Sequence, residues 1–343
     1  MKNIFKICST LFLVIILGIV FFAYHQVYKK EIFVGESISF EVMKGESVNA
    51  VSQRLEQEKI ISNANFFKLY IRYKGLDTKI QSGLFHLSRP FTLAHIANNL
   101  ADAQSIERSI TIVPGWDLRD IAEYFETQGI ASSTEFFAIV GMPAKFQAPT
   151  SLFEKDFSVL TSKPKNVSLE GYFAPETYRI FQNENLESVL RRLIDQTEKE
   201  FSVEMLQKIQ SEKKSVHEIL TLASIVEKEV KTLEDKKKVA DIFWRRMSAG
   251  WGLQADSTVH YLSGREGDVF TKAQERQIDS LWNTYKYRGL PPGPIGAPSK
   301  ESIEAVLFST PNDAWYFLTT ADGEVKYGRT LAEQNANVQK YLR

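Results

Sequence analysis

The sequence predicts an α+β protein in three parts: one N-terminal membrane-spanning helix, a small αβ module, and a larger mixed α/β region. Three observations carry that prediction. An uncharged apolar run opens the 343-residue chain. A strand–turn–helix pattern then occurs twice without gaps. Behind it, helix-like stretches alternate with a stiff loop rich in proline and glycine.

The length fits two or three domains. Lys and Arg total 42, as do Asp and Glu, so the formal charge is zero. That balance argues against a protein whose business is gripping nucleic acid. Cys8 is the single cysteine, which excludes an intrachain disulfide and reads as a small hydrophobe. The sequence has no P-loop, no GxGxxG opening a helix, no GxSxG and no HExxH. Its histidines, His25, His86, His95, His217 and His260, show no ligand spacing. No metal site, nucleotide cofactor or Ser–His hydrolase is therefore expected.

Lys2 and Lys6 precede an apolar run that Lys29 and Lys30 close. The span 7–28 is about 22 residues, enough for one crossing, with 1–6 as a cytoplasmic end. Tyr24 and Tyr28 suit an interfacial belt. The competing reading is a cleaved signal peptide. Against it, the apolar core is long and no small-x-small site follows. Lysines flank both ends, so orientation rests on the large C-terminal body being exported regardless. Both readings place that body outside the cytoplasm.

After an extended lead from Ile32 to Glu41, VMKGESVNAVSQRLEQEKIISNANFF (from Val42) aligns with IVPGWDLRDIAEYFETQGIASSTEFF (from Ile112). Gly45 falls on Gly115, Val51 on Ile121, Leu55 on Phe125 and Phe67 on Phe137. Each copy reads as strand, Gly turn, amphipathic helix and second helix, with Ser62 and Ser132 as N-caps. Between the copies, Ser82–Leu87 alternates like a strand and Leu93–Leu100 reads as a helix. We assign 38–105 to the module and 106–343 to the larger region, whose 110–140 part repeats the 40–70 unit. Binding and scaffolding are equally compatible with the pattern. Gly141–Asn166, with Pro143, Pro149 and Pro164, reads as a loop-rich connection.

Four stretches of the larger region suit chemistry. Leu169–Tyr178, LEGYFAPETY, sets Glu170 and Glu176 among aromatics. That mixture suits carbohydrate, although a loop plugging a core has the same composition. Val216–Val230, VHEILTLASIVEKEV, is a strongly apolar helix ending in Glu227 and Glu229. Burial raises a carboxyl pKa, which a general acid near neutral pH requires. At about 100° per residue, Glu227 shares the apolar arc with Val216, Ile219, Leu220, Ala223 and Val226. Glu229 points elsewhere, with Leu222 and Ile225, so the two have different jobs. Periodicity does not choose between them, and both lying on a wet face is the plain alternative. Val239–Leu262 starts as an amphipathic helix that Gly250 and Gly252 end. Gln254 and Asp256 follow in a turn, with Asp256 a candidate N-cap. Trp282–Pro298, WNTYKYRGLPPGPIGAP, is a rigid irregular loop opening with Asn283, Thr284 and Tyr285. It fits the wall of an extended polymer site or a structural connection.

LEGYFAPETY, ASIVEKE, LQADSTVHY and NTYKYRGLPPGPIGAPS occur in the order and spacing seen in the endolytic murein transglycosylases, and the chain resembles that MltG (YceG-like) family over nearly its whole length. The front module resembles the LysM-like domain of that family. The resemblance implies a bitopic inner-membrane protein facing the cell wall, N-terminus inside. Its substrate would be peptidoglycan glycan, cut between N-acetylmuramic acid and N-acetylglucosamine to leave a 1,6-anhydro end. Its partners would be nascent strands, the membrane and the wall-synthesis machinery, and its role termination of elongation. It implies no cofactor. The catalytic glutamate of ASIVEKE maps to Glu229, with Glu227 as second choice. Glu170, Tyr172, Gln254, Asp256, Asn283, Thr284 and Tyr285 become candidates for holding the sugar. Gln334 stands where histidine is frequent in the family and takes no role. Ser257 stands where proline is common, and neither change is expected to touch the acid. An inactive wall-binding scaffold and a hydrolytic muramidase using Glu229 with Glu170 are the alternative readings.

Overall fold

The structure, a computed structural model, describes residues 2–31, 33, 35–43, 45–102, 106–149, 152–182, 184–264 and 274–342. Ile32 at the head of the expected lead lies outside them. So do the 103–105 segment at the expected module boundary, Thr150, Ser151 and the side chain of Cys8. The chain divides into two units, Met1–Ile110 with Tyr178–Glu184, and Thr111–Thr177 with Asn185–Arg343.

The first unit begins with α1 (Lys2–Tyr28). Its Thr10–Tyr28 part is long and apolar enough to cross a membrane. There follow β1 (Ser37–Val42), α2 (Val48–Gln57), α3 (Ala64–Tyr73), β2 (Gly83–Ser88), α4 (Leu93–Ala101) and β3 (Ile106–Thr111). A late strand, β4 (Thr177–Phe181), completes a sheet of order β1-β2-β3-β4. β1 and β2 run antiparallel with Phe40 opposite Phe85. Phe40 and Val42, two residues apart, turn to the same buried side, as the pleat requires. They meet Leu55 of α2, Phe67 of α3 and Ile96 of α4 in one core.

The repeat is visible as paired elements. Gly45 and Gly115 follow their strands at φ +80° and +84°, a region that glycine enters without Cβ strain. Helices α5 (Leu118–Thr127) and α6 (Ser133–Val140) of the second copy match α2 and α3 of the first. Ser132 caps α6 in a capping box with Glu135. In the first copy the expected cap at Ser62 is corrected to Asn63, whose side chain accepts the Asn65 and Phe66 amides. The copies belong to different units.

The second unit continues with α7 (Leu186–Glu200), α8 (Val203–Ser211), α9 (Val216–Glu229), α10 (Leu233–Ser248), α11 (Asp256–Ser263) and α12 (Lys300–Leu307). A hairpin of β5 (Tyr316–Thr319) and β6 (Val325–Gly328) and a final helix α13 (Leu331–Tyr341) close it. A capping box of Ser215 and Glu218 starts α9. Residues 219–226 of α9 are all buried, because α10, α11 and α12 pack around it. Full burial of each Leu, Ile or Val there contributes about 1.5–3 kcal/mol. α9 thus has no wet middle, and the arc that set Glu227 apart from Glu229 has no counterpart in solvent exposure.

Candidate active site

Three of the four motif stretches are stitched to α9 by side chains that the helix itself supplies. His217 Nε2 lies 2.8 Å from the Pro292 carbonyl, and its Nδ1 lies 2.8 Å from the Tyr172 hydroxyl. A carbonyl only accepts, so Nε2 carries the proton and Nδ1 accepts from Tyr172. Burial lowers the His217 pKa and favours this neutral form. Two turns onward, Ser224 Oγ accepts the Ile295 amide at 3.0 Å. The second repeat's Gly turn holds the same proline loop: Gly115 N donates to Ala297 O at 2.8 Å and Ala297 N to Trp116 O at 2.7 Å. A Cβ on Gly296 would stand 2.7 Å from the Gly115 oxygen, so that approach requires glycine.

The two glutamates that end α9 have opposite surroundings. Glu227 is an ion-paired carboxylate. Ser299 N donates to its Oε2 at 2.9 Å and Ser302 Oγ at 2.7 Å, and Ser299 Oγ donates as well. Lys236 Nζ reaches both oxygens at 3.2 Å, and its side chain is 4% exposed. Burial acts to raise the Glu227 pKa, but these donors outweigh it and hold the carboxyl below the usual value. Such a group keeps its charge and is a poor proton donor.

Glu229 is the reverse case. Burial is the main cause that pushes its pKa up to about 6. Asp256 adds to the rise, while the Ser257 hydrogen bonds and the Arg246 guanidinium oppose it. Ser257 donates its amide to Oε1 at 3.3 Å and its hydroxyl at 2.6 Å. Ser257 is the second residue of α11, whose N-cap, Ala255, has no side chain able to cap. Glu229 supplies that function from another helix. The expectation that Ser257 leaves this glutamate untouched is therefore corrected. A proline there would carry neither donor. The expected Asp256 N-cap is corrected too, since Asp256 is the first helical residue and its Oδ1 accepts Tyr285 Oη at 2.7 Å.

The remaining candidates separate into rim and framework. Gln254 is exposed, half-exposed Asp256 and Tyr285 stand beside Glu229, and Arg276 lies 3.9 Å from the Asp256 carboxylate. Gln254 has φ +54°, a left-handed conformation that costs a non-glycine residue about 1–3 kcal/mol. Tyr172, Asn283 and Thr284 are buried with their polar groups committed, so the sugar contact expected of them is withdrawn. Asn283 Nδ2 donates to the Arg276 and Ile278 carbonyls. Thr284 Oγ1 accepts the Ala255 amide at 3.0 Å and pairs with Thr258 Oγ1 at 2.9 Å, which seats the start of α11. Glu170 is also internal. It accepts the Leu118 amide at the start of α5 and Tyr261 Oη at 2.9 Å. Burial first, then the Asp117 charge, push its pKa up to about 8. Gln334, assigned no role, donates to the Phe317 carbonyl at 3.1 Å.

The sequence carries no sign of Lys236, which pairs with the Glu227 charge, of Ser299 and Ser302, which donate hydrogen bonds to it, or of Arg246, which faces Glu229. Arg246 is buried, with its guanidinium on the Trp315 carbonyl at 2.6 Å. None of these stands near its partner glutamate in a recognisable spacing, so no local pattern marked them.

A largely buried carboxyl beside a second carboxyl and partly exposed polar groups is the arrangement that a general acid requires, here set in a mixed helix-and-sheet protein. The chain belongs to the YceG-like family, whose model matches residues 40–340. It is 32% identical over 316 residues to a Bacillus subtilis protein named endolytic murein transglycosylase, covering 89% of this chain and 85% of that one. A Streptococcus pneumoniae protein of the same name is 28% identical over 325 residues, and the match spans 58% of its length. Among solved structures, a YceG-like protein of Listeria monocytogenes superposes with a TM-score of 0.59 at 29% identity, covering 88% of this chain and 99% of that one.

Proposed function

We propose that the protein is an endolytic peptidoglycan lytic transglycosylase, a lyase acting on polysaccharide, with Glu229 as its acid. The observation that carries the reading is Glu229 itself: one largely buried carboxyl, its pKa lifted to about 6, with one oxygen that no donor among the described residues reaches. The names of the relatives supply the substrate class.

Hydrolytic glycosidases use two carboxylates. A transglycosylase needs one, because the 6-hydroxyl of muramic acid is already tethered to the reacting sugar. That intramolecular attack gains a large effective molarity. Glu229 gives its proton to the glycosidic oxygen as the C1–O bond breaks. The 6-hydroxyl then bonds to C1 and returns its proton to the Glu229 carboxylate. The acid is regenerated, and the products are a 4-hydroxyl on N-acetylglucosamine and a 1,6-anhydro-muramyl end. The Asp256 carboxylate, held by Tyr285, faces the positive charge that develops at C1. Gln254 and Tyr285 are the proposed sugar contacts. Glu170, the second carboxylate of a muramidase mechanism, has both oxygens on protein donors and is 1% exposed, which favours the lyase reading.

The strand–helix–helix–strand order of β1, α2, α3 and β2 supports a LysM-like, glycan-binding role for the front module. Helix α1 supports a single-pass anchor in the cytoplasmic membrane, N-terminus inside, with the body at the wall. There it would meet nascent strands beside the synthesis machinery and terminate their elongation.

Full-length protein in detergent, incubated with purified sacculi and followed by mass spectrometry of glycan ends, tests the reading. Anhydro-muramyl ends are expected. Reducing ends would establish a muramidase, and binding without new ends a scaffold. The pH dependence is a second prediction. The active form is protonated Glu229, so kcat/KM is expected to be flat at acid pH and to fall about tenfold per unit above a limb near pH 6.

A further inference from the structure

We propose that Ser257 is the positioning residue of the Glu229 acid, holding Oε1 with its amide and its hydroxyl so that Oε2 presents the transferable proton to the glycan. The inference rests on the function proposed above. Oε1 accepts two donors from one residue, at 3.3 and 2.6 Å. Among the described residues no donor reaches Oε2. An oxygen that already accepts two hydrogen bonds is the poorer place for the carboxyl's own hydrogen, so the proton resides on Oε2.

The same contacts act in the forward step. When Oε2 loses its proton, charge spreads to Oε1, where both donors already point. Preorganised donors of this kind stabilise charge as it develops and need no reorganisation. The start of α11 adds its partial positive charge. Ser257 thereby opposes the desolvation that raises the Glu229 pKa and keeps the acid able to release its proton. Charged and titratable groups face Glu229 from three other places: Asp256 at the start of α11, Arg246 from α10, and Tyr285 from the proline loop. From β5, the Thr319 hydroxyl holds the Glu229 backbone carbonyl at 3.2 Å, which fixes the root of the side chain. Ser257 differs from all of these in gripping the carboxyl itself.

The test compares Ser257→Ala, which keeps the amide, Ser257→Pro, which removes both donors, and Ser257→Thr, which keeps both. For Ser257→Ala, kcat on sacculi is expected to fall about tenfold with KM unchanged, and the alkaline limb to move up by about one pH unit. Ser257→Pro should shift the limb further in the same direction, and Ser257→Thr should restore wild-type values. A carbon-13 NMR titration of the Glu229 carboxyl in wild type and Ser257→Ala reads the same shift without catalysis. Equal thermal midpoints exclude unfolding as the cause. A Ser257→Ala protein with a wild-type limb and a wild-type titration overturns the proposal, as does a change confined to KM. Release of reducing ends by every variant would refute the lyase reading alone, since the limb and the titration still report on Ser257.

Discussion

Glu229→Gln is expected to abolish the formation of anhydro-muramyl ends while leaving the fold intact. Glutamine keeps the shape of the side chain, and its oxygen still accepts from Ser257, so α11 keeps its cap. The amide has no acidic proton to give. Loss of a general acid costs about 100- to 10,000-fold in rate. The thermal midpoint should hold or rise slightly, because a neutral amide avoids the desolvation that the buried carboxylate pays near neutral pH. Quantifying glycan ends beside a melting curve gives both readings. A Glu229→Gln protein that still makes anhydro ends at the wild-type rate would remove Glu229 from the reaction.

Glu227→Ala should show the opposite pattern. The carboxylate neutralises Lys236, whose side chain is almost entirely enclosed. Removing one partner of a buried pair leaves an uncompensated charge, at a cost of about 3–5 kcal/mol. For a unit of this size that corresponds to a fall in midpoint of about 10 °C. Protein that stays folded at the assay temperature should keep forming anhydro ends. The pH dependence follows from the lowered carboxyl pKa. Its stabilisation is fully present above the ordinary carboxylate value of about 4.5 and is lost as pH falls through the lower folded value. The variant should therefore lack that part of the wild-type acid sensitivity. A Glu227→Ala protein with an unchanged midpoint and no anhydro ends would transfer the acid role to Glu227.

Much of the architecture was legible from local pattern. The repeat stood out because each copy carries its own Gly turn, apolar face and cap within about 26 residues. The elements at 83–88 and 93–101 were read close to their observed bounds, because side-chain alternation and helical periodicity are short-range signals. The caps were less legible. Asn63 stands beside Ser62 and caps equally well in principle, and which one serves depends on where the backbone leaves the extended region. The motif aromatics and amides misled in one respect. Tyr172, Asn283 and Thr284 have the chemistry of sugar contacts, yet the fold spends that chemistry inside, on His217, on two loop carbonyls and on the start of α11.

The sequence by itself determined the apolar leading helix, the duplicated strand–turn–helix unit, and the helix from Val216 that ends in two glutamates. Each is written in neighbours along the chain. Only the tertiary structure decided what those glutamates are. Helix α9 is enclosed on all sides from Ile219 to Val226, so periodicity offers no dry and wet face there to tell them apart. The difference lies in partners brought from elsewhere. Ser299 and Ser302, more than 70 residues on, and Lys236 hold Glu227 as a charged strut. Ser257, from a helix that lacks a cap of its own, meets Glu229 in a site that burial keeps protonatable. A carboxyl's proton affinity is set by solvation and by the donors within reach, and both are properties of the folded chain.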